Sequence, residues 1–391
     1  MRISKRWVPS IAVPAVIAAG VIAVPLQANA IDLPDLTPQE VMVLMQQANV
    51  TEFSGTIVKQ SELGLPALEF SSMVSEDSIE QMEEKMPEEF ADFVPAVIES
   101  NVLTQAVELI SGSHTVRVFV SGPDKLRAQI LDPMSERDLI VNGSEFWVYD
   151  AQMATALNGT IEVEPDPAKQ AEAEQKVLEY AESIALDLSS PEAIADYLVS
   201  MVDETSQIEV GKDHSVAGRS AYQLIVSPDS ANSLIDNAAI SVDYETGMPL
   251  RVELFSKTQD VAAMSVGFSS ISFGAVDQAL FDFTPPAGTT VETFDADQLM
   301  GYEKPEFPES DYEAPAEPEV IGTDWDSVIH LDKLPESIPQ DLMANELFAD
   351  MLTVVPGGKV FSTPLMNVLL TDSGEVFAGA VTIDYLLSLT N

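Results

Sequence analysis

The sequence predicts an α+β protein built on a large antiparallel sheet, with helices covering one face of that sheet. Three observations predict this class. Apolar and polar residues alternate in many short runs, Asn142-Gly143 separates two of these runs, and apolar residues recur at helical spacing in other blocks. We count about ten or eleven strands, nearly all joined by short connections.

The first residues have the pattern of an export signal. Three basic residues precede an apolar stretch at 11–24, and Ala28-Asn29-Ala30 fits a small-x-small cleavage site. We therefore expect a signal peptide at 1–30 and a protein exported to the cell envelope or the extracellular space. The alternative is an uncleaved N-terminal anchor, because residues 7–26 are just long enough to span a bilayer.

A helix, a strand and an acidic insertion come next. Thr37 and Glu40 have the spacing of a capping box before apolar residues at helical spacing, which predicts a helix, and residues 53–60 predict a strand. At 73–110, apolar residues at helical spacing face a surface of Glu and Asp. This pattern predicts an amphipathic helical insertion, broken into pieces by prolines.

From residue 114 to residue 150 the period changes to two, which predicts an antiparallel meander. Asn142-Gly143 is typical of its tightest hairpin turn. A helix at 190–202 follows. The later strands are predicted at 207–210, 221–227, 239–244, 250–255 and 262–273.

The C-terminal part divides into a linker and a small extension. Residues 292–319 are rich in acidic residues and proline and cannot bury enough apolar surface to fold alone. The main sheet domain is therefore predicted at 31–291. Residues 320–391 predict an αββα extension that includes a strand at 359–370 and a last helix at 383–389. Because this tail is small for an independent domain, we expect it to dock on the main sheet.

Composition excludes several kinds of function. The 391 residues include no cysteine, 64 acidic and 18 basic side chains, which give a formal net charge of −46. Disulfides, thiolate chemistry and cysteine-built metal sites are excluded, and so much negative charge disfavours nucleic acid as a partner. We expect a monomer without a cofactor. With 46% hydrophobic residues the chain can still build a core.

No catalytic motif stands out, so the sequence predicts a protein that is not an enzyme. His114 follows Ser113 and could belong to a Ser–His–Asp site, but a half-exposed histidine at a strand end is the simpler interpretation. The acidic runs at 76–89 and 303–319 could bind calcium or a basic partner. Such runs are more often a solvated helix face and a solvated linker.

The shape of the predicted sheet leaves two alternatives. Helices could seal its apolar face, which would make the protein a scaffold, or cover it incompletely and leave an apolar cavity. The insertion is rich in methionine and interrupted by proline, which suits an adaptable lid, although the same side chains could be ordinary core.

Several motifs resemble the LolA-like and RseB-like lipoprotein-carrier superfamily. The run 142–150, NGSEFWVYD, resembles its hairpin; GPDKLR at 122–127 resembles the strand before it; and FDFTPPAGTTV at 281–291 resembles its ending. LGLP at 63–66 and the segment 367–380 are similar to LolA-like exported proteins of actinobacteria. The resemblance covers roughly residues 37–293.

This resemblance implies a half-open β-barrel whose apolar concave face, under a helical lid, receives acyl chains. Relatives carry lipids or lipoproteins, or sense envelope stress by binding an anti-sigma factor. The acidic insertion and the linker depart from the carrier pattern. No counterpart of the carriers' cavity arginine can be placed, so their lipoprotein-release mechanism is not implied.

Our main hypothesis is an exported, non-enzymatic carrier that shelters acyl chains of a lipid or lipoprotein in an apolar cavity. The alternative is an RseB-like regulator that binds a membrane protein partner through an outer surface, and a hydrolase ranks last. The candidate cavity residues are Val118, Leu126, Ile130, Leu139, Val252, Leu254, Met264, Val266 and Phe268. The candidate lid residues are Met82, Met86, Phe90 and Phe93.

Overall fold

The computed structural model describes residues 32–64, 113–132, 135–160, 195–196, 199, 205–294, 319–333 and 349–390. Within these ranges the chain forms a thirteen-stranded sheet, a six-stranded sheet and α-helices that include Pro38–Gln46 and Ile383–Leu389, consistent with the predicted α+β class. The predicted signal peptide, the acidic insertion and most of the linker lie outside the described residues.

The first half of the large sheet is the predicted meander. Each strand pairs antiparallel with the next, and Gly143 adopts φ +67° in the turn predicted at Asn142-Gly143. These strands are β1 (Glu52–Ser61), β2 (His114–Ser121), β3 (Lys125–Asp132), β4 (Ser135–Asn142), β5 (Glu145–Asp150) and β6 (Thr155–Thr160).

The second half joins the first through the pairing of its last strand with β1. Its strands are β7 (Ser206–Val210), β8 (His214–Val216), β9 (Arg219–Pro228), β10 (Ile235–Asp243), β11 (Pro249–Ser256) and β12 (Ala262–Phe273). The order across this half is β1-β12-β11-β10-β9-β7, and β8 also pairs with β9.

Two features of the large sheet differ from the prediction. It has thirteen strands instead of ten or eleven, and it is mixed because β13 (Thr290–Phe294) pairs parallel with β6. Residues 292–294, predicted as linker, therefore belong to the sheet. Its strand order ends at β13 on one side and β7 on the other, so the sheet does not close into a barrel.

The C-terminal residues form the second sheet, in the order β14-β15-β19-β18-β17-β16. Its strands are β14 (Glu319–Ile321), β15 (Val328–Leu331), β16 (Leu352–Val355), β17 (Gly358–Ser362), β18 (Asn367–Thr371) and β19 (Val376–Gly379). The single strand predicted at 359–370 is wrong. A turn at Thr363, whose backbone N–H donates to the Met366 carbonyl, splits it around Pro364.

The last helix, at Ile383–Leu389, lies where it was predicted and packs its buried Leu386 against one face of the second sheet. The extension also contacts the large sheet, as expected for the tail. These contacts are Trp325 Nε1 to Ser206 Oγ (2.7 Å), Asn232 Nδ2 to Asp326 Oδ2 (3.1 Å), Leu234 N to the Ala380 carbonyl (2.8 Å) and Thr382 N to the Asn232 carbonyl (2.7 Å).

Candidate functional site

One face of the large sheet is apolar across strands from both halves. Residues directly opposite each other in antiparallel strands point to the same face, and alternate residues of a strand share that face. Phe53 lies opposite Val120, which lies opposite Leu126, and the same face continues to Val141 and Phe146. We call this side of the sheet the apolar face.

The strand registers place all nine candidate cavity residues on the apolar face. Ile57 lies opposite Phe268 on one side and Val116 on the other, which connects the two halves of the sheet. The further pairs are Gly55 with Val118, Val120 with Leu126, Val116 with Ile130, Ala128 with Leu139, Val252 with Val266, and Leu254 with Met264. Whether these residues line a cavity stays a prediction.

The nine candidates differ in exposure. Val118 and Phe268 are only 2% and 3% exposed and belong to the core, whereas Val252 is 36% exposed. The other six are half-buried. Phe268 lies so close over Gly55 that a Cβ there would meet its ring at 2.9 Å. The solvent-accessible apolar surface among the nine candidates therefore comes from Val252 and the six half-buried residues, and not from Val118 and Phe268.

The first helix, α1 (Pro38–Gln46), covers one end of the apolar face. Its buried Val41 packs on Tyr222, Leu224 and Val242 of β9 and β10. The predicted capping box is confirmed: Thr37 Oγ1 accepts from the Glu40 amide at 3.2 Å, and Glu40 Oε2 accepts from the Thr37 amide at 2.8 Å.

A turn of the sheet fixes the position of α1. Asp243 is buried and accepts hydrogen bonds from Arg219 Nη2 at 2.9 Å and from the Thr246 amide at 2.8 Å. Burial opposes ionisation of Asp243, but these hydrogen bonds outweigh it and lower its pKa. Gly247 in this turn has φ +70° and approaches α1 so closely that a Cβ would lie 2.1 Å from the Leu44 carbonyl oxygen.

Two side chains that can carry positive charge interrupt the apolar face at one end. Lys59 follows Phe53, Gly55 and Ile57 at alternate positions of β1, and it is 3% exposed. His114, 4% exposed, lies directly opposite Lys59 on β2. Burial lowers the pKa of Lys59 to about 8, because the charged ammonium loses hydration.

The prediction for His114 was right about its position and wrong about its exposure. It begins β2, at a strand end, but it is buried instead of half-exposed. The sequence analysis missed Lys59 altogether. The signal that could have found it is its place in the alternation of β1, where an inward position holds one of the few lysines of an acidic chain.

The reverse face of the sheet carries a partly buried ion pair that the sequence analysis also missed. Arg127 Nη2 lies 2.7 Å from Asp138 Oδ2, and Arg127 Nη1 donates to the Leu280 carbonyl at 3.1 Å. Phe281 is buried, and the Phe283 ring lies 5.4 Å from the Trp147 ring. Through these contacts, the segment that contains Leu280 and Phe283 packs across β3, β4 and β5. It lies on the opposite side of the sheet from the nine candidate cavity residues.

The four lid candidates, Met82, Met86, Phe90 and Phe93, lie outside the described residues. Within the described ranges, no three His, Asp or Glu side chains cluster in a way that could hold a metal ion. In the same part of the chain, no helix is both long enough and apolar enough to span a membrane.

Comparisons with known proteins gave structural neighbours only. No protein-family profile matches the chain, and no curated protein sequence does. The MucA/MucB complex of Pseudomonas aeruginosa contains a similar chain, with 12% identity and a TM-score of 0.38 over 90% of this chain and 96% of that one.

A LolA superfamily protein from Nitrosomonas europaea is 7% identical with a TM-score of 0.22, over 64% of this chain and 99% of that chain. A conserved protein from Thermus thermophilus is 9% identical with a TM-score of 0.31, over 66% and 98%. At TM-scores below 0.5 the likeness supports no conclusion about function.

Proposed function

We propose that this protein is an exported, non-enzymatic carrier that shelters acyl chains of a lipid or lipoprotein on the apolar face. One observation supports the proposal most strongly. Strand register gathers nine apolar side chains on a single face, yet only two of them are buried, while Val252 remains 36% exposed. A partly exposed apolar surface of this kind is suited to an apolar ligand.

The energetics agree with this ligand class. Each methylene that leaves water contributes about 0.8 kcal/mol, so a chain of about ten carbons supplies about 8 kcal/mol before the costs of ordering are subtracted. No directional chemistry is needed for such binding. In this proposal the segment 73–110 acts as a lid through Met82, Met86, Phe90 and Phe93.

The direct test is to purify the exported protein from its host and extract it with organic solvent. The proposal predicts a lipid or lipoprotein acyl chain in the extract, close to one per protein. It also predicts that the delipidated protein takes up a fluorescent fatty acid. A folded protein that yields no lipid and takes up no fatty acid would refute the proposal.

A second candidate function is a regulator that binds a membrane protein partner, and one observation favours it. The second sheet exposes apolar side chains on the face opposite its buried core: Val320 is 62% exposed, Ile329 48% and Val354 78%. Exposed apolar residues grouped on one face are typical of protein interfaces. The test is to isolate the wild-type chain from membranes and look for a membrane protein bound in stoichiometric amount. The regulator is favoured if this partner is recovered with the wild-type chain, is lost with Val354→Asp, and still binds when fatty acid is added.

A further inference from the structure

We propose that His214 is an acid-sensitive latch, whose protonation loosens the start of β8 and, through Asp213, the N-terminal segment 32–37 that leads into α1. The inference concerns a conformational change and does not rest on the proposed carrier function. It is drawn from the hydrogen bonds of one half-buried imidazole and from the contact that the preceding residue makes.

The imidazole of His214 connects β8 to β10, which lies two strands away across β9. Its Nδ1 lies 3.3 Å from the carbonyl oxygen of Lys212, whose own side chain is exposed, and its Nε2 lies 2.9 Å from Ser241 Oγ. A carbonyl oxygen can only accept, so we assign the hydrogen to Nδ1, and Nε2 accepts from the hydroxyl. This arrangement requires the neutral ring, which has one donor and one acceptor.

Protonation of His214 removes the acceptor from this arrangement. Both ring nitrogens then donate, so Ser241 must turn its hydroxyl hydrogen away from Nε2. Ser241 is 0% exposed, so this hydrogen cannot turn to bulk water, and a buried donor without an acceptor is costly. The charged ring also loses hydration in its half-buried position. The neutral ring is therefore the form that holds the start of β8 in place.

The environment of His214 also favours the neutral ring. Burial lowers the pKa of His214, and the positive charge of Arg251 on β11 lowers it further. The Lys212 carbonyl and the carboxylates of Glu253 and Asp213 oppose this shift without cancelling it. The other charged groups on the neighbouring elements are Arg219 and Asp243, which pair with each other, and the exposed Asp32, Asp35 and Glu209.

Asp213 connects this histidine to the segment before α1. Its Oδ2 accepts from the Leu33 amide at 2.8 Å, and Leu33 packs on the same cluster as Val41 of α1. The other end of β8 is held by Val216, which is buried in the main core, so the change is confined to the start of the strand. Because α1 covers one end of the apolar face, acid is expected to make that end more accessible.

The experiment measures amide hydrogen exchange of the full chain at pH 7.5, 6.5 and 5.5, with each rate corrected for the intrinsic effect of pH. The readout is the protection of residues 32–37 and 211–214 relative to the hairpin at 135–150. Carboxylic acids ordinarily titrate below about pH 5, so a histidine is the group expected to change in this range.

The wild-type protein should lose this protection several-fold between pH 7.5 and 5.5. A lowered pKa in the folded state means that the loosened state binds more protons below the ordinary histidine pKa of 6.5, so attachment weakens as the pH falls. Because pH 5.5 lies one unit below that ordinary value, the loss is limited to about tenfold.

Variants then assign the effect to its residue. His214→Gln keeps a side chain that can donate and accept but cannot titrate, so its protection should not change with pH. His214→Asn serves the same purpose if the glutamine variant does not fold. His330→Gln, which removes the histidine of β15 in the second sheet, is the matched control and should behave as wild type.

Three results would overturn the proposal in whole or in part. If protection in the wild type does not fall with acid, there is no latch. If it falls equally in the His214 variants, the latch is not His214. If residues 211–214 loosen while residues 32–37 do not, the connection through Asp213 is wrong.

Discussion

Replacement of the buried lysine is predicted to change how stability depends on pH. In the unfolded chain Lys59 has its ordinary pKa of 10.5, and in the folded protein burial lowers this pKa to about 8. Between these two values the unfolded state binds more protons than the folded state. The free energy of unfolding therefore rises with pH across this window as far as Lys59 is concerned.

The magnitude follows from the two pKa values. Each unit of pKa difference is equivalent to about 1.4 kcal/mol, so the buried charge destabilises the folded protein by roughly 3 kcal/mol below pH 8. Above pH 10.5 this destabilisation is gone. Lys59→Met removes the titrating group, so the variant is expected to be more stable than wild type at pH 7, and this difference should shrink as pH approaches 10.5.

Urea unfolding of wild type, Lys59→Met and Lys212→Met at several pH values from 7 to 10.5 provides the measurement. The quantity compared is the difference in the free energy of unfolding between wild type and each variant. This difference cancels the titration of the other lysines and the tyrosines, which is common to all three proteins. Lys212→Met should follow the wild-type slope. A constant difference between wild type and Lys59→Met across this pH range would refute the reasoning.

Three further predictions concern the supports of the apolar face. Asp243→Asn should lower the free energy of unfolding by about 3 kcal/mol, because Arg219 loses its buried, charged partner. In the wild type, the stability that ionised Asp243 contributes is fully present above the ordinary carboxyl pKa and is lost as the pH falls through the lowered pKa of the folded state. Acid unfolding curves of wild type and Asp243→Asn would show this loss. Gly247→Ala should destabilise by more than about 2 kcal/mol through its clash with the Leu44 carbonyl, and proteolysis should cut near α1 sooner; wild-type stability would contradict this. Asp326→Ala removes side-chain contacts between the two sheets, so limited proteolysis should release the C-terminal extension faster while far-ultraviolet circular dichroism stays unchanged, and an unchanged cleavage rate would contradict the docking.

The strands were predictable wherever local pattern and local turn chemistry agree. β3, β4 and β5 alternate cleanly, and Gly143 supplies the positive φ that the turn requires. The capping box of α1 was predictable for the same reason, since Thr37 and Glu40 meet within a single helical turn. The face shared by the nine candidates also followed from alternation, because a period of two fixes side-chain direction.

The parts that could not be predicted depend on contacts between distant segments. Residues 292–294 were predicted as the start of a polar linker, and only pairing with β6 makes them part of a strand. Nothing in the local sequence indicates that Val118 and Phe268 are buried while Val252 is exposed, because burial depends on what packs over each position. Lys59 was missed because a lysine in a strand is ordinarily assigned to the solvent side.

The most direct test of the central claim is titration of a fluorescent fatty acid into the delipidated protein and two matched variants. Val252→Asp places a charge on the exposed part of the apolar face, and Val354→Asp places the same charge on the second sheet, where Val354 is 78% exposed. The account predicts saturable binding by wild type and by Val354→Asp, with affinity at least about tenfold weaker in Val252→Asp at unchanged thermal stability. Equal affinity in all three proteins, or no binding by the folded wild type, would contradict it.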